Sequence, residues 1–308
     1  MWLLFALLTF FGWGGADLFY KIGADRTERY SHLKTAIAVG LVMGLAGTVT
    51  LLAGDIHYDW RNLLIYFPVS AAYILSMTVG YFGLRYLTVS VSSPIQNASG
   101  AVSAILLMAV TRKIPDLPTS AALILITVGV VVLGVFERNA ERTASPEDKK
   151  HSVGFVAFFM PILYCVIDSV GTFLDGLYLD DVASTPLLGV TEDTLEEVAN
   201  VSYQLTFLIA AVILAVYVYI IRKEKPRLKG NGSRLLAAGL ETGGQFAYVY
   251  ALSGNGIVAA PVIASYCVAS MFFGRVFLKE KLKAGQYLAL ALVVGGIVIL
   301  GILEAVAE

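Results

Sequence analysis

The sequence predicts an all-α, polytopic membrane protein with about ten transmembrane helices in a 5+5 inverted-repeat bundle. Hydrophobic residues make up 57% of the 308 residues and charged residues only 15%, whereas soluble domains have about 45–50% and about 25%. The apolar residues fall in runs of roughly 20, the length that crosses a bilayer core. A polar break near the middle and an internal repeat divide these runs into two sets of five.

Ten apolar runs are predicted to be membrane helices, at residues 2–22, 35–53, 62–86, 90–111, 117–136, 153–174, 200–221, 235–253, 257–278 and 285–303. The first run lacks the basic start of a secretory signal and is longer than a signal core, so we expect it to be a membrane helix. A long acidic connection, residues 175–199, follows the sixth run. A short interfacial helix is expected from Glu192.

The polar segment "ERNAERTASPEDKKHS" separates two predicted halves. We expect a first five-helix repeat at 1–137, a charged connecting loop at 138–152, and a second repeat at 153–308 that contains the acidic loop 175–199. An offset of 167 residues supports this division, because it places Pro94 on Pro261 and Gly129 on Gly296 without a gap. Chance alignment of apolar helices is the alternative. With five helices each, the halves would insert in opposite directions, a recurrent transporter design.

Lysine and arginine concentrate in the connections that follow odd-numbered runs, as at Arg26, Lys149, Arg222 and Lys279. The other connections offer Arg61, Arg112 and Lys113. The positive-inside rule therefore predicts that the odd connections are cytoplasmic and that both termini lie outside the plasma (cell inner) membrane.

Several classes of function are disfavoured by the sequence. Cys165 and Cys267 lie inside apolar runs, and the three histidines lie in connecting segments without metal-ligand spacing. We therefore expect no catalytic set, metal, cofactor or nucleic-acid partner, and the partners are the lipid bilayer and a small-molecule substrate. A membrane-embedded enzyme and a channel, which needs a selectivity filter, remain remote alternatives. The sequence carries no signal of an oligomeric state.

Three of the apolar runs contain a carboxylate with aromatic or amide side chains one turn away. The candidate substrate and coupling residues are Glu241, Gln245 and Tyr248 on the eighth run; Trp13, Asp17 and Tyr20 on the first; Tyr164 and Asp168 on the sixth; and Tyr81, Asn97 and Tyr266 on the third, fourth and ninth. A carboxylate that lines an aqueous cavity keeps hydration and can meet a cation or carry a proton. Three glycines, Gly239, Gly243 and Gly244, are expected to let a neighbouring helix approach.

The acids and aromatic rings favour a cationic or zwitterionic amine as substrate, such as an amino acid or a choline-like compound. In the alternative, a neutral or anionic metabolite is recognised by Lys21, Arg85, Gln96 or Asn97, and the acids serve proton coupling only. Structural roles also remain open. Asp17 could pair with Lys21, Asp168 could lie hydrated near the interface, and the tyrosines could be packing residues.

Three segments carry a resemblance to a known family: "YFGLRYLTVSVSSP", "YVYALSGNGIVAAP" and "FLKEKLKAGQYLALALVVGGIVIL", which contains Glu280. In these segments and in its 5+5 plan, the chain resembles the drug/metabolite transporter superfamily, specifically its EamA-type members. The resemblance implies secondary transport of a small polar metabolite by alternating access through a central cavity, with no cofactor. It also implies cytoplasmic termini, the reverse of what the loop charges predict, and it provides no counterpart for segment 175–199.

Overall fold

The computed structural model describes residues 1–24, 28–54, 56–84, 89–142, 155–225, 231–277 and 284–307. Every regular element within these ranges is a helix. The α-helices are α1 (Trp2–Gly23), α2 (Ser31–Ala53), α3 (Asn62–Ile65), α4 (Phe67–Gly83), α5 (Val89–Asn97), α6 (Ser99–Thr111), α7 (Leu117–Arg142), α8 (Phe155–Tyr178), α9 (Leu195–Ala215), α10 (Asn231–Ala264), α11 (Cys267–Phe277) and α12 (Ala284–Ala307). A π-helical turn, Val216–Ile221, extends α9.

These helices form the predicted crossings. Within the described residues, seven helical stretches are each long and apolar enough to cross a membrane. The third crossing joins α3 to α4, with Pro68 in the first turn of α4, where its missing N–H needs no partner. The fourth joins α5 to α6. The eighth and ninth meet inside α10 at Asn255, whose backbone leaves the helical conformation (φ −165°, ψ 80°). The Asn255 side chain accepts a hydrogen bond from the Val258 amide at 3.3 Å and caps the second leg.

Several boundaries differ from the predicted ones. Residues 192–194 form a turn in place of the expected short helix, and α9 begins directly after it at Leu195. At the polar break, α7 continues to Arg142 and so takes up the first part of the predicted loop 138–152. The rest of that loop lies outside the described residues, as do Arg26, Arg85, Lys149, Lys279 and Glu280.

Helix pairing follows the two halves of the chain. The first crossing packs against the eighth (α1 on the first leg of α10), and the third packs against the sixth (α4 on α8). The second packs against the seventh (α2 on α9), and the fifth against the tenth (α7 on α12). This set of pairs is unchanged when each crossing is exchanged for the one five places away. It is the pairing expected of a 5+5 inverted-repeat bundle, and the domain boundaries at 137 and 153 stay predictions.

The interface between α7 and α12 repeats one glycine contact in both directions. A Cβ on Gly129 would lie 2.7 Å from the Val293 side chain, and a Cβ on Gly296 would lie 2.7 Å from the Ile126 side chain. The two partners differ by the same 167 residues as the two glycines. A local two-fold axis between the helices accounts for this exchange.

Contacts between loops define the two faces of the bundle. On one face, which we call the terminal face, Asn62 bonds the backbone of Leu188, and Lys113 pairs with Asp180. The N-terminal end of α1 and the C-terminal end of α12 both lie on this face. On the opposite face, which we call the basic face, the buried Glu28 binds two cations: Lys34 Nζ and Arg234 Nη2 each lie 2.6 Å from one of its carboxylate oxygens. This ion cluster joins the start of α2 to the start of α10.

The Glu28 cluster predicts a large loss of stability when one partner is removed. Glu28→Gln leaves Lys34 and Arg234 buried without their counter-charge, so we expect the free energy of unfolding to fall by about 3–5 kcal/mol. The matched control is Asp59→Asn, which breaks the exposed pair with Arg61 and should change the melting temperature little. Thermal unfolding of the purified variants measures both, and equal melting temperatures for Glu28→Gln and wild type would contradict the assignment.

The same cluster predicts a pH dependence. Burial raises the pKa of Glu28, but hydrogen bonds from Lys34 and Arg234 outweigh it and hold the pKa below the ordinary value of 4.5. A carboxyl whose folded-state pKa is depressed contributes stability above its unfolded-state pKa and loses it as the pH falls through the folded-state pKa. The difference in melting temperature between wild type and Glu28→Gln should therefore be constant near neutral pH and shrink below about pH 4. A difference that grows on acidification would contradict this.

Candidate functional site

A small cavity of about 50 Å³ lies inside the bundle, in the half nearer the basic face. We call it the acid cavity, because Asp17, Asp168 and Glu241 all line it. The other predicted residues in its lining are Trp13, Tyr20, Tyr81, Tyr164 and Tyr266. A second space of about 30 Å³ adjoins it and includes Asn97 and Tyr248. The three carboxylates on α1, α8 and α10 are thus brought together, as the polar stripes indicate.

Gln245 is the one predicted residue that lines neither space. Its side chain is 0% exposed, and neither atom of its amide group has a hydrogen-bond partner among the described residues. The spacing of four residues from Glu241 places Gln245 on the same side of α10. The part of that side that lines the cavity is, however, narrower than the row of polar residues predicted from the sequence.

Asp17 is held by hydroxyl groups from two other helices. Its Oδ2 atom accepts hydrogen bonds from Ser93 of α5 at 3.1 Å and from Ser270 of α11 at 3.0 Å. Lys21, one turn further along α1, is exposed. Two neutral donors therefore fix the orientation of this carboxylate at the junction of α1, α5 and α11.

Asp168 is also held by two serines. Ser76 of α4 donates to Oδ1 at 3.2 Å, and Ser99 of α6 donates to Oδ2 at 2.7 Å. The residue is 9% exposed and lies in the middle of α8. This places Asp168 inside the bundle rather than at a hydrated interface.

Glu241 is 9% exposed and sits on the first leg of α10, opposite α1. The indole N–H of Trp13 donates to its backbone carbonyl at 3.4 Å. Among the described residues, the ion pairs lie elsewhere, at Glu28, Asp59 and Asp180. Lys21 acts electrostatically on Asp17 from one turn away, whereas no described cation forms an ion pair with Asp168 or Glu241.

Aromatic side chains close the acid cavity toward the terminal face. Trp13 stacks on Tyr248 with ring centroids 5.1 Å apart, and Tyr266 meets the edge of Trp13 at 5.8 Å. The Tyr248 hydroxyl forms a short hydrogen bond with Tyr73, which also bonds Thr172 at 2.9 Å. We call Trp13, Tyr73 and Tyr248 the aromatic layer. It separates the acid cavity from the part of the bundle nearer the terminal face.

Four buried polar atoms around these spaces have no hydrogen-bond partner within 3.5 Å in the described part of the chain: Tyr20 Oη, Tyr81 Oη, Gln96 Nε2 and Asn97 Nδ2. The first three belong to the lining of the acid cavity and the fourth to that of the adjoining space. Buried polar groups in native proteins are nearly always satisfied. Water or a polar ligand in these spaces would provide hydrogen-bond partners for these atoms.

Close packing of α1 on α10 depends on two of the glycines. A Cβ on Gly12 would lie 3.1 Å from the Gly244 Cα, and a Cβ on Gly244 would lie 2.6 Å from the Trp13 indole. The prediction of close approach was wrong for Gly239 and Gly243, because both face outward and a Cβ there would meet nothing within 4 Å. The helical periodicity turns these two residues away from α1.

Replacement of Gly244 therefore has a specific predicted effect. In Gly244→Ala the new methyl group would displace Trp13 from Tyr248, and we expect a loss of about 1–3 kcal/mol in stability together with a change in tryptophan fluorescence. Gly243→Ala is the matched control, since it adds the same methyl group to an open face and should be neutral or stabilising by up to about 1 kcal/mol. Thermal unfolding and emission spectra measure the difference; similar behaviour of both variants would contradict the packing.

Sequence reasoning missed some residues of the site. Tyr203 of α9 lines the acid cavity, but it looks like one more aromatic residue of an apolar run. The hydroxyls of Ser76 and Ser99 are equally ordinary in sequence, and their role follows from Asp168. The sequence pattern assigns Asp175 to the acidic loop 175–199, but in the structure it lies within α8 and is 0% exposed.

Comparison with known proteins supports the resemblance. Residues 201–302 match the model of the EamA-like transporter family, which confirms the resemblance to EamA-type members of the drug/metabolite transporter superfamily. The matched region includes the second leg of α10 and most of α12. No curated protein matches the chain in sequence.

The fold is also found among solved structures, 28 chains of which match. One crystal structure, described only as that of a protein, has a TM-score of 0.65 and 13% sequence identity, with 96% of this chain and 98% of that chain covered. At this identity the likeness establishes the fold alone. It extends over both halves of the bundle, including the first half, which the family model leaves unmatched.

Proposed function

We propose that this EamA-type membrane protein is a secondary transporter that moves a small cationic or zwitterionic amine by alternating access. The observation that carries the proposal is the acid cavity, where three carboxylates meet and no described cation forms an ion pair with Asp168 or Glu241. Ionised groups inside a membrane protein are costly unless they are paired. An ammonium group or protons would supply the missing positive charge.

The other groups of the cavity fit the rest of such a substrate. The faces of Trp13 and the tyrosines attract an organic ammonium through the ring quadrupole. The unsatisfied amide groups of Gln96 and Asn97 can donate hydrogen bonds to a carboxylate or carbonyl. A zwitterion such as an amino acid would use both sets.

The size of the cavity supports alternating access. Small-molecule sites usually measure about 300–1,000 Å³, whereas the acid cavity has about 50 Å³, room for a few water molecules. A metabolite can bind there only after the two halves move apart. The aromatic layer, where Trp13 of the first half stacks on Tyr248 of the second, is the contact that would separate on one side of the cavity.

The alternative substrate is a neutral or anionic metabolite, with the acids used for proton coupling only. The unsatisfied donors of Gln96 and Asn97 favour it, since they need no cation. A screen of the purified protein against metabolites separates the two, because a ligand that binds only the folded state raises the melting temperature. Stabilisation by amines supports the proposal, and stabilisation by acids or neutral compounds alone supports the alternative. Saturable uptake and counterflow would distinguish a carrier from a channel.

Glu241 is the residue predicted to couple transport to protons. Glu241→Gln keeps the size of the side chain and removes its charge, so pH-dependent uptake should be lost while the protein remains in the membrane. Asp17→Asn and Asp168→Asn should do less, because serines hold both groups in place. Uptake of the screened substrate into proteoliposomes over a pH series provides the measurement, with the exposed Glu192→Gln as control. An unchanged rate and pH profile in Glu241→Gln would refute the assignment.

The proposed orientation places the protein in the plasma membrane with both termini outside, from the distribution of lysine and arginine. The exposed residues Ala183, on the terminal face, and Lys225, on the basic face, test it. After correction for labelling of the native cysteines, Ala183→Cys in intact cells should react with an impermeant thiol reagent and Lys225→Cys should not. The reverse pattern would give the orientation that the family resemblance implies.

A further inference from the structure

A fourth carboxylate, Asp175, is buried in α8 two turns beyond Asp168, toward the terminal face. It is 0% exposed. Its Oδ1 atom accepts a short hydrogen bond from the hydroxyl of Tyr66, while its Oδ2 atom is buried without a partner among the described residues. The site is built and rigid, because Asn62, one turn before Tyr66, bonds both backbone groups of Leu188 at 2.8 and 3.0 Å.

The groups that surround Asp175 are phenols. The titratable side chains that interact with it are Tyr66 and Tyr73 of the third crossing, Tyr203 of α9 and Tyr248 of α10, and the ring of Tyr178 of α8 packs on Tyr66 at 5.8 Å. Helix α6, which also packs on α8, contains no titratable side chain.

Charged groups on this face have partners of their own. Arg61, directly before α3, is paired with Asp59, and Lys113 is paired with Asp180. Glu196 of α9 accepts a hydrogen bond from Ser253 at 2.5 Å. No described lysine, arginine or histidine forms an ion pair with Asp175.

An ionised carboxylate in these surroundings would be poorly compensated. Burial of a charge costs several kcal/mol unless it is paired and its oxygen atoms are hydrogen-bonded, and a single phenol satisfies one oxygen of two. A metal cation would need about six or more oxygen ligands, and Tyr66 is the described side chain that bonds Asp175. We therefore propose that Asp175 is a proton-binding site, separate from the acid cavity.

The position of Asp175 suggests what this proton does. Asp168, Thr172 and Asp175 share one face of α8 at spacings of four and three residues, and the Thr172 hydroxyl is bonded to Tyr73 of the aromatic layer. On the other side, Gly176 and Asp180 line a polar cavity of about 440 Å³ at the terminal face, which is large enough to hold water. Along α8, Asp175 thus lies between Asp168 and the residues that line this cavity.

A proton can therefore enter from the terminal face while the aromatic layer stays closed, because Tyr73 of that layer relays it. Asp175 takes a proton from water at the terminal face and releases one toward the hydroxyls of Tyr73 and Thr172, each of which accepts one proton as it gives up another. This coupling role rests on the proposed transport function, whereas the binding of a proton by Asp175 does not.

Infrared difference spectroscopy of the purified protein tests the proton site without a substrate. At neutral pH, subtracting the spectrum of Asp175→Asn from that of wild type should leave the C=O stretching band of one protonated carboxyl group. Tyr66→Phe should keep the band and shift its frequency, because it removes the hydrogen bond to Asp175. The exposed Asp181→Asn should give no such band. A difference spectrum that contains only carboxylate bands would overturn the proposal, and unchanged melting temperatures show that the variants are folded.

Transport assays then test the coupling role. Asp175→Asn should lose uptake driven by a pH gradient and retain counterflow, because exchange of substrate needs no net proton movement. Gradient-driven uptake equal to that of wild type would overturn the relay. If no screened metabolite is transported while the carboxyl band is present, the proposed function fails and the proton site stands. If uptake is pH-dependent and the band is absent, the site at Asp175 fails and the proposed function stands.

Discussion

Burial of unpaired carboxylates in an apolar bundle is the constraint on which the central site depends. Asp17, Asp168 and Glu241 lie on three different helices and converge on one small cavity. A charge at this depth is unfavourable unless it is hydrated, paired or neutralised. Serine hydroxyls orient two of the acids but cannot remove their charge. In the proposed function, protons or a substrate cation supply the positive charge that these acids lack.

The packing of α1 on α10 controls which conformations satisfy that requirement. Gly12 and Gly244 let the two backbones approach, and Trp13 fills the space beside them while it stacks on Tyr248. This contact joins the first half of the chain to the second, and it also forms the closed side of the acid cavity. Under the proposed function, a movement that admits a metabolite separates Trp13 from Tyr248, and this contact would couple neutralisation of the acids to opening of the bundle.

Most of the fold could be predicted from the sequence, because bilayer thickness sets the length of an apolar run and the helical period sets which residues share a face. The ten crossings and the convergence of the three acids follow from these two rules. The position of Gln245 does not follow from these two rules. The angular width of a cavity depends on how neighbouring helices pack, and a spacing of four residues does not contain that information.

The other differences have a similar origin. Gly239 and Gly243 belong to a glycine cluster that the sequence offers as one surface, but α1 covers only the side of α10 that carries Gly244. Asp175 follows an apolar run and precedes an acidic loop, so its position inside α8 depends on where that helix ends. Its partner Tyr66 is 109 residues away in the chain, and a pair so distant is not visible in local patterns.

The central claim is that the acids of the cavity are neutralised by protons in the free protein and by a substrate cation in the complex. Calorimetric titration of the purified protein with the amine identified by ligand stabilisation tests this most directly, in buffers of different ionisation enthalpy. Binding should release protons from the wild-type protein and fewer from Glu241→Gln. Binding with the same heat in every buffer, and therefore without proton release, would contradict it.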